Sequence, residues 1–250
     1  MSTPENAVTP NEINATLFEL WDKYGDPVKD RYVPLVCGQP TQGGLVFVGF
    51  NPPFSDEGWV SLIKKWRETA KKPVNPKRFF RWHPGMRLGD FDVPLALEIA
   101  AYARRHFAFF RPYRDLAANL NMEWEYLNLF AYQSARQADA EARLFKKPVY
   151  LHELNEFGAR QVELFRELLP LTRPRVVIVA SGLAGHVYRK HWKPTFSQDD
   201  GCYFDRIGEV SVPIFFSGML TGQRASDVIA RDRLHGQVAR ALGRQWPPPQ

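Results

Sequence analysis

Asn51, Phe54, Ser55 and Asp56 follow directly on the apolar run Gly44-Leu45-Val46-Phe47-Val48-Gly49, and Pro52 and Pro53 stand between them. Two prolines cannot donate to a ladder, so a strand must stop there. Gly49 lets the backbone pass close to another group. The result is a rigid turn at the carboxyl end of a strand, and in open α/β sheets that edge is where ligands bind. An amide such as Asn51 can orient a water molecule, but it cannot take the water's proton as a carboxylate would. Asp56 supplies a carboxylate if the loop folds back; its other role is to cap the helix that follows. The plain alternative is a strand-to-helix turn whose path the prolines set.

Two further groups carry polar chemistry in apolar surroundings. Asn128 lies within Leu127-Asn128-Leu129-Phe130, where its amide needs hydrogen-bond partners. Ser217, with the backbone N–H groups of residues 218–220, could donate to a developing anion. The turn Gly182-Leu183-Ala184-Gly185 opens a helix whose N-terminus could hold an anion, or is simply tight.

Charge is unevenly spread. The 250 residues carry a formal net charge of +6. Residues 64–87 hold nine Lys or Arg and one acid, Glu68, so this segment is +8 and the remainder sums to about −2. Within it Lys71, Lys72, Lys77, Arg78 and Arg81 alternate with Phe79, Phe80 and Trp82, and His83 follows. Cations interleaved with aromatics could grip a phosphate backbone and stack on unpaired bases. The alternative is a solvated loop whose aromatics tuck into the core. The six histidines are scattered without a metal-binding spacing. The two cysteines, Cys37 and Cys202, are too few for the usual four-thiolate zinc or iron–sulfur site. No cofactor or metal is expected. No apolar run approaches 18 residues and no signal-peptide core opens the chain, so a cytoplasmic protein is expected.

The elements that would position these groups alternate. Apolar runs near 45–50, 124–130, 175–181 and 212–216 read as strands. Helices are expected over 12–24 with Asn11 as N-cap, and over 57–70, 93–109, 111–121, 151–169, 182–192 and 225–243. Val228, Ile229, Leu234 and Val238 are expected to face inward on the last. Residues 131–149 read as a long polar connection, and 201–210 as a hairpin or edge strand. Helical crossovers between strands demand a mostly parallel sheet. The expected fold is a three-layer α/β/α sandwich on a four-stranded, mostly parallel sheet. It forms a single domain over 12–246 after a loose tail, 1–11.

These residues and their order resemble the uracil-DNA glycosylase superfamily. Gly49-Phe50-Asn51-Pro52-Pro53 looks like its first motif, closest to the mismatch-specific and single-strand-selective branches, which have Gly-X-Asn-Pro. Leu127-Asn128-Leu129 resembles the second-strand signature, and Arg175–Gly182 the strand and glycine before the last helices. The segment Ser217–Arg224 falls where the second motif and wedge loop lie, but it lacks the usual His-Pro-Ser or Asn-Pro-Ser. The resemblance spans about 44–243. It implies that Asn51 positions the attacking water and that Asn128 reads the edge of a flipped base. It also implies that Gly49, Phe50 and Phe54 wall the base, and that Met219, Leu220 and Arg224 wedge into DNA. Ser217 would stand in for the missing histidine.

The implied activity is that of a monomeric DNA glycosylase releasing uracil or another altered base from double- or single-stranded DNA, in repair or in defence against modified DNA. A non-catalytic module for altered or single-stranded DNA, and an N-glycosidase of free nucleosides or nucleotides, are the alternatives.

Overall fold

A computed structural model describes residues 8–26, 32–52, 56–147, 149, 152–221 and 225–244. The expected single domain divides by its contacts into two compact units, each discontinuous in sequence. One comprises residues 1–39, 51–105 and 130–168, and the other residues 40–50, 106–129 and 169–250.

The second unit contains a six-stranded sheet. Its strands are β1 (Leu45–Gly49), β2 (Trp124–Asn128), β3 (Val176–Ala180), β4 (Thr195–Ser197), β5 (Cys202–Ile207) and β6 (Val210–Ser217). They lie in the order β2-β1-β3-β6-β5-β4. The four strands expected from sequence are the parallel ones; the hairpin or edge strand expected at 201–210 is β5, antiparallel to β6, and β4 adds a sixth strand beyond it. Every residue of β1 and β3 is buried, as central parallel strands require.

Register sorts the side chains by face. Phe47 pairs with Tyr126 and with Ile178, and Ile178 with Phe215. Partners in a parallel ladder share a face, and the period of two alternates it along each strand. Helix α4 (Arg111–Asn119) covers that face: the ring of its Tyr113 meets Phe47 edge-on at 5.0 Å and Tyr126 at 5.1 Å. Helix α7 (Gly182–Trp192) lies on the opposite face, with Gly185 against the Phe216 ring and Tyr188 beside it. Together these give the α/β/α layering. Helix α8 (Val228–Ala241) packs against β6. Its inward residues are Leu234, Val238 and Ala239, whereas Val228 and Ile229 are 70% and 67% exposed. Both fall in its first turn, ahead of its buried residues.

The first unit is helical, with α1 (Pro10–Tyr24), α2 (Asp56–Ala70), α3 (Val93–His106), α5 (Gln137–Leu144) and α6 (Glu156–Leu168). Helix α1 starts earlier than expected. Thr9, not Asn11, is its N-cap: its hydroxyl accepts from the Glu12 N–H at 3.3 Å and the Glu12 carboxylate accepts from the Thr9 N–H at 2.7 Å. Pro10 takes the first helical position, where a missing N–H costs nothing. The stretch 131–149, expected to be a polar connection, contains α5. Its Ala140 and Leu144 alone are fully buried, so the apolar face was too narrow to read as a period. The core of this unit centres on Trp21, which meets the Phe157 ring edge-on at 5.0 Å. No helix among the described residues is long and apolar enough to cross a membrane.

Candidate functional site

In the sheet unit, strand order reverses between β1 and β3, so their carboxyl ends flank the crevice where open α/β sheets bind ligands. Gly49 ends β1, Asn128 ends β2 and Ser217 ends β6, all at that edge. Gly49 pairs with Asn128, and Ala180 with Ser217, so Asn128, Gly49 and Ser217 share the Phe47–Tyr126 face. Strand spacing puts Gly49 about 10 Å and Asn128 about 14 Å from Ser217 along the edge.

Gly49 is a glycine because of what faces it. A Cβ there would collide with the Tyr126 hydroxyl and stand 2.9 Å from Asn128 Oδ1. Tyr126 is hydrogen-bonded to Tyr113, and burial pushes both phenols well above their ordinary range, so both stay neutral. Asn128 Oδ1 is buried and accepts no hydrogen bond among the described residues. A buried acceptor without a donor is costly, and the pleat gives it none. Tyr126 and Tyr113 were not singled out in the sequence. The alternation Trp124-Glu125-Tyr126 marks a strand, but only register reveals that Tyr126 stands over Gly49.

Ser217 donates its hydroxyl to the Gly218 carbonyl at 2.7 Å. The loop after it is pinched where the Ser226 N–H donates to the Met219 carbonyl at 2.7 Å. Met219 is half-buried. Leu220 is 1% exposed, so it belongs to the core and not to a wedge. Phe50 is 6% exposed, so its ring belongs to the core. Phe54 and Arg224 lie outside the described residues.

In the helical unit, Asn51 is held by its amide nitrogen. Nδ2 donates to the Ser134 carbonyl at 3.1 Å and to the Pro52 carbonyl at 3.2 Å. Carbonyl oxygens only accept, so this orientation of the amide is fixed by chemistry, and Oδ1 faces away as the acceptor that remains. Behind it, Gln133 is buried and bridges two partners: Oε1 accepts from the Trp59 indole at 3.1 Å, and Nε2 donates to the Val33 carbonyl at 2.8 Å. Asp56 is the first residue of α2.

The basic segment also belongs to the helical unit. Lys71, Lys72, Lys77, Arg78 and His83 are exposed, and Arg81 is half-buried over the Tyr32 ring at 5.3 Å. Trp82 is 8% exposed and Phe80 7%, with Phe80 stacked on Trp59 at 4.0 Å. Trp82 is therefore core, and its expected role as a stacking platform is corrected: apolar area outweighs the charge of its neighbours. A cleft of about 570 Å³ is lined by Tyr32, Trp59, Lys64, Phe80 and Arg81 among others, and a second of about 480 Å³ adjoins Lys64, Lys71 and Lys72. No group of three or more His, Cys, Asp or Glu among the described residues is placed to hold a metal ion.

No protein-family model matches the chain, and no curated protein does.

Proposed function

We propose that this chain is a DNA glycosylase that takes uracil or another altered base out of DNA and hydrolyses its N-glycosidic bond, leaving an abasic site. The observation that carries the reading is the buried, unpartnered Oδ1 of Asn128 at the ligand edge of the sheet, beside a glycine with no room for a side chain. A base edge that offers an N–H donor, as uracil does, complements the open Oδ1 of this carboxamide.

Asn51 supports the reading from its own unit. With Nδ2 tied to two carbonyls, Oδ1 is an acceptor fixed in direction and suited to orient a water molecule. Water adds to the anomeric carbon as the base departs with the bonding electron pair; the proton lost by the water is taken up by solvent or by the leaving base. Asn51 positions the nucleophile and does not deprotonate it. Such an enzyme suits a base that is already a fair leaving group. In this reading the protein works as a monomer, without a cofactor, in the cytoplasm.

The test is a base-release assay over uracil, hypoxanthine and modified cytosines in oligonucleotides. Release from at least one is expected, and Asn51→Ala should reduce it about a hundredfold or more, the scale of losing a positioned reactant. No release above a blank across the panel would sink the enzyme reading.

One observation favours a second reading, a binding module for altered DNA that does not cut it. Ser217 donates its proton to Gly218 and so has none to give a leaving base. Salt-dependent binding of altered DNA without base release would decide for it.

A further inference from the structure

We propose that the exposed face of α2 is a track for an unpaired nucleic-acid strand, and that the cleft beside its first turns seats one unstacked nucleotide. This rests on the nucleic-acid reading above but not on its chemistry.

The two clefts of the helical unit share Lys64. Apart from the buried Trp59, their α2 residues, Glu57, Val60, Ser61, Lys64, Arg67 and Glu68, recur at spacings of three and four, which puts them on one helical face, and Lys71 follows just past the helix end. At 1.5 Å per residue the furrow runs about 21 Å along the helix. Lys64, Arg67, Lys71, Lys72, Lys77 and Arg81 border it, against the carboxylates Glu57 and Glu68. Lys72 is paired with Glu98 at 2.5 Å, whereas Lys64, Arg67, Lys71 and Lys77 make no ion pair among the described residues. Lys71, the residue after α2, has a φ of +54°, a left-handed position where glycine costs least, and yet carries a cation at the furrow's end.

The larger cleft differs from a plain basic surface in its apolar lining. The buried Phe80–Trp59 stack, with centroids 4.0 Å apart, backs the cleft and is core; the accessible surface is that of the half-buried Val60, Pro76 and Tyr32, and Tyr32 stands under the Arg81 guanidinium. Cations along a backbone track with aromatic and apolar surface between them is the arrangement that binds single strands without reading sequence. A duplex offers phosphates, but its bases are stacked and paired and cannot present a face to a concave site of about 570 Å³. An unpaired base can.

The experiment is fluorescence polarisation of the full chain with a labelled, unmodified DNA strand of about twelve nucleotides, within the usual range of single-strand sites. The same strand annealed to its complement and a strand of abasic sugars of equal length are compared with it. The single strand should bind about tenfold more tightly than either. The double variant Lys64→Ala/Lys77→Ala should weaken it about tenfold and reduce the slope of log affinity against log salt by about 1.4, the value for two lost contacts to a single strand. Tyr32→Ala should weaken the normal strand and leave the abasic one unchanged. Equal or tighter duplex binding, equal binding of the abasic strand, or indifference to the Lys64/Lys77 variant each overturns the proposal. Because the strand holds no altered base, these results stand apart from base release. An enzyme that releases bases but binds strands independently of Lys64 and Lys77 refutes only the track.

Discussion

The Tyr126 hydroxyl occupies the space that a side chain on Gly49 would need. Both residues sit on adjacent parallel strands in direct register positions, Gly49 opposite Asn128 and Tyr126 one pleat before it. The close approach is therefore fixed by the sheet and not by a movable loop. Gly49→Ala should destabilise the protein by about 1–3 kcal/mol, the usual cost of overpacking a well-filled site. In a Tyr126→Phe background the penalty should shrink, because the nearest clashing atom is gone. Urea denaturation of the four proteins of this cycle measures the coupling. A Gly49→Ala protein as stable as the parent would mean that the pair does not meet.

Asn128 separates stability from function. Its Oδ1 is buried without a donor, which is a cost to the folded state. Asn128→Ala should leave stability within about 1 kcal/mol of the parent, or raise it, since it removes an unsatisfied group. The same change should lower base release at least tenfold if the amide reads the base. Thermal unfolding and the release assay on one preparation test both halves. A large loss of stability would show that Asn128 has a structural partner and is not held for a ligand.

Cys37 gives a prediction in pH. Its thiol lies against the Asn14 amide oxygen at 3.5 Å and the Pro10 carbonyl at 3.7 Å, and burial pushes it from 9.0 to about 12. The folded state thus holds the proton more tightly than the unfolded one. That contribution is complete below the unfolded value and is lost as pH rises from 9.0 towards about 12. The urea midpoint should fall above about pH 9, and Cys37→Ala should flatten the fall. Thiol labelling at pH 8 should be slow at Cys37 until denaturant is added. Rapid labelling of the native protein would contradict the placement of this half-buried thiol against Asn14 and Pro10.

The parallel core was legible because central strands, buried on both faces, are written as unbroken apolar runs such as Val176–Ala180. The end of β1 was legible for the same reason: the apolar run breaks ahead of Pro52 and Pro53, and the strand stops at Gly49. The antiparallel pair β5 and β4 was only half legible, since Thr195–Ser197 is three mixed residues at a sheet edge. Periodicity says which residues are buried and not what they meet, so Tyr126 over Gly49 stayed hidden until register was known. The basic segment misled in part. Charge density marked its surface correctly, but local sequence does not say which aromatic among Phe79, Phe80 and Trp82 turns inward. Leu220 failed as a wedge for the same reason: an apolar residue in a polar loop can be a probe or an anchor, and it is 1% exposed.

The orientation of Asn51 can be tested by changing the atom that faces Ser134. Asn51→Asp replaces the donating Nδ2 with an oxygen directed at two carbonyl oxygens, those of Ser134 and Pro52. Ionised, the new carboxylate meets only acceptors; protonated, it can donate to one of them. Its folded value should therefore lie above the ordinary carboxylate range. The stability it retains is complete at pH values below that of the unfolded carboxyl and is lost as pH rises through the folded one. The variant should be closest to the parent near pH 4 and about 1–3 kcal/mol less stable at pH 7, the cost of an unpaired polar group. If base release depends on Oδ1 alone, activity at acid pH should survive better in Asn51→Asp than in Asn51→Ala. Urea midpoints and release rates at both pH values test this, and an Asn51→Asp protein whose stability does not change with pH would show that the amide nitrogen is not pinned to those carbonyls.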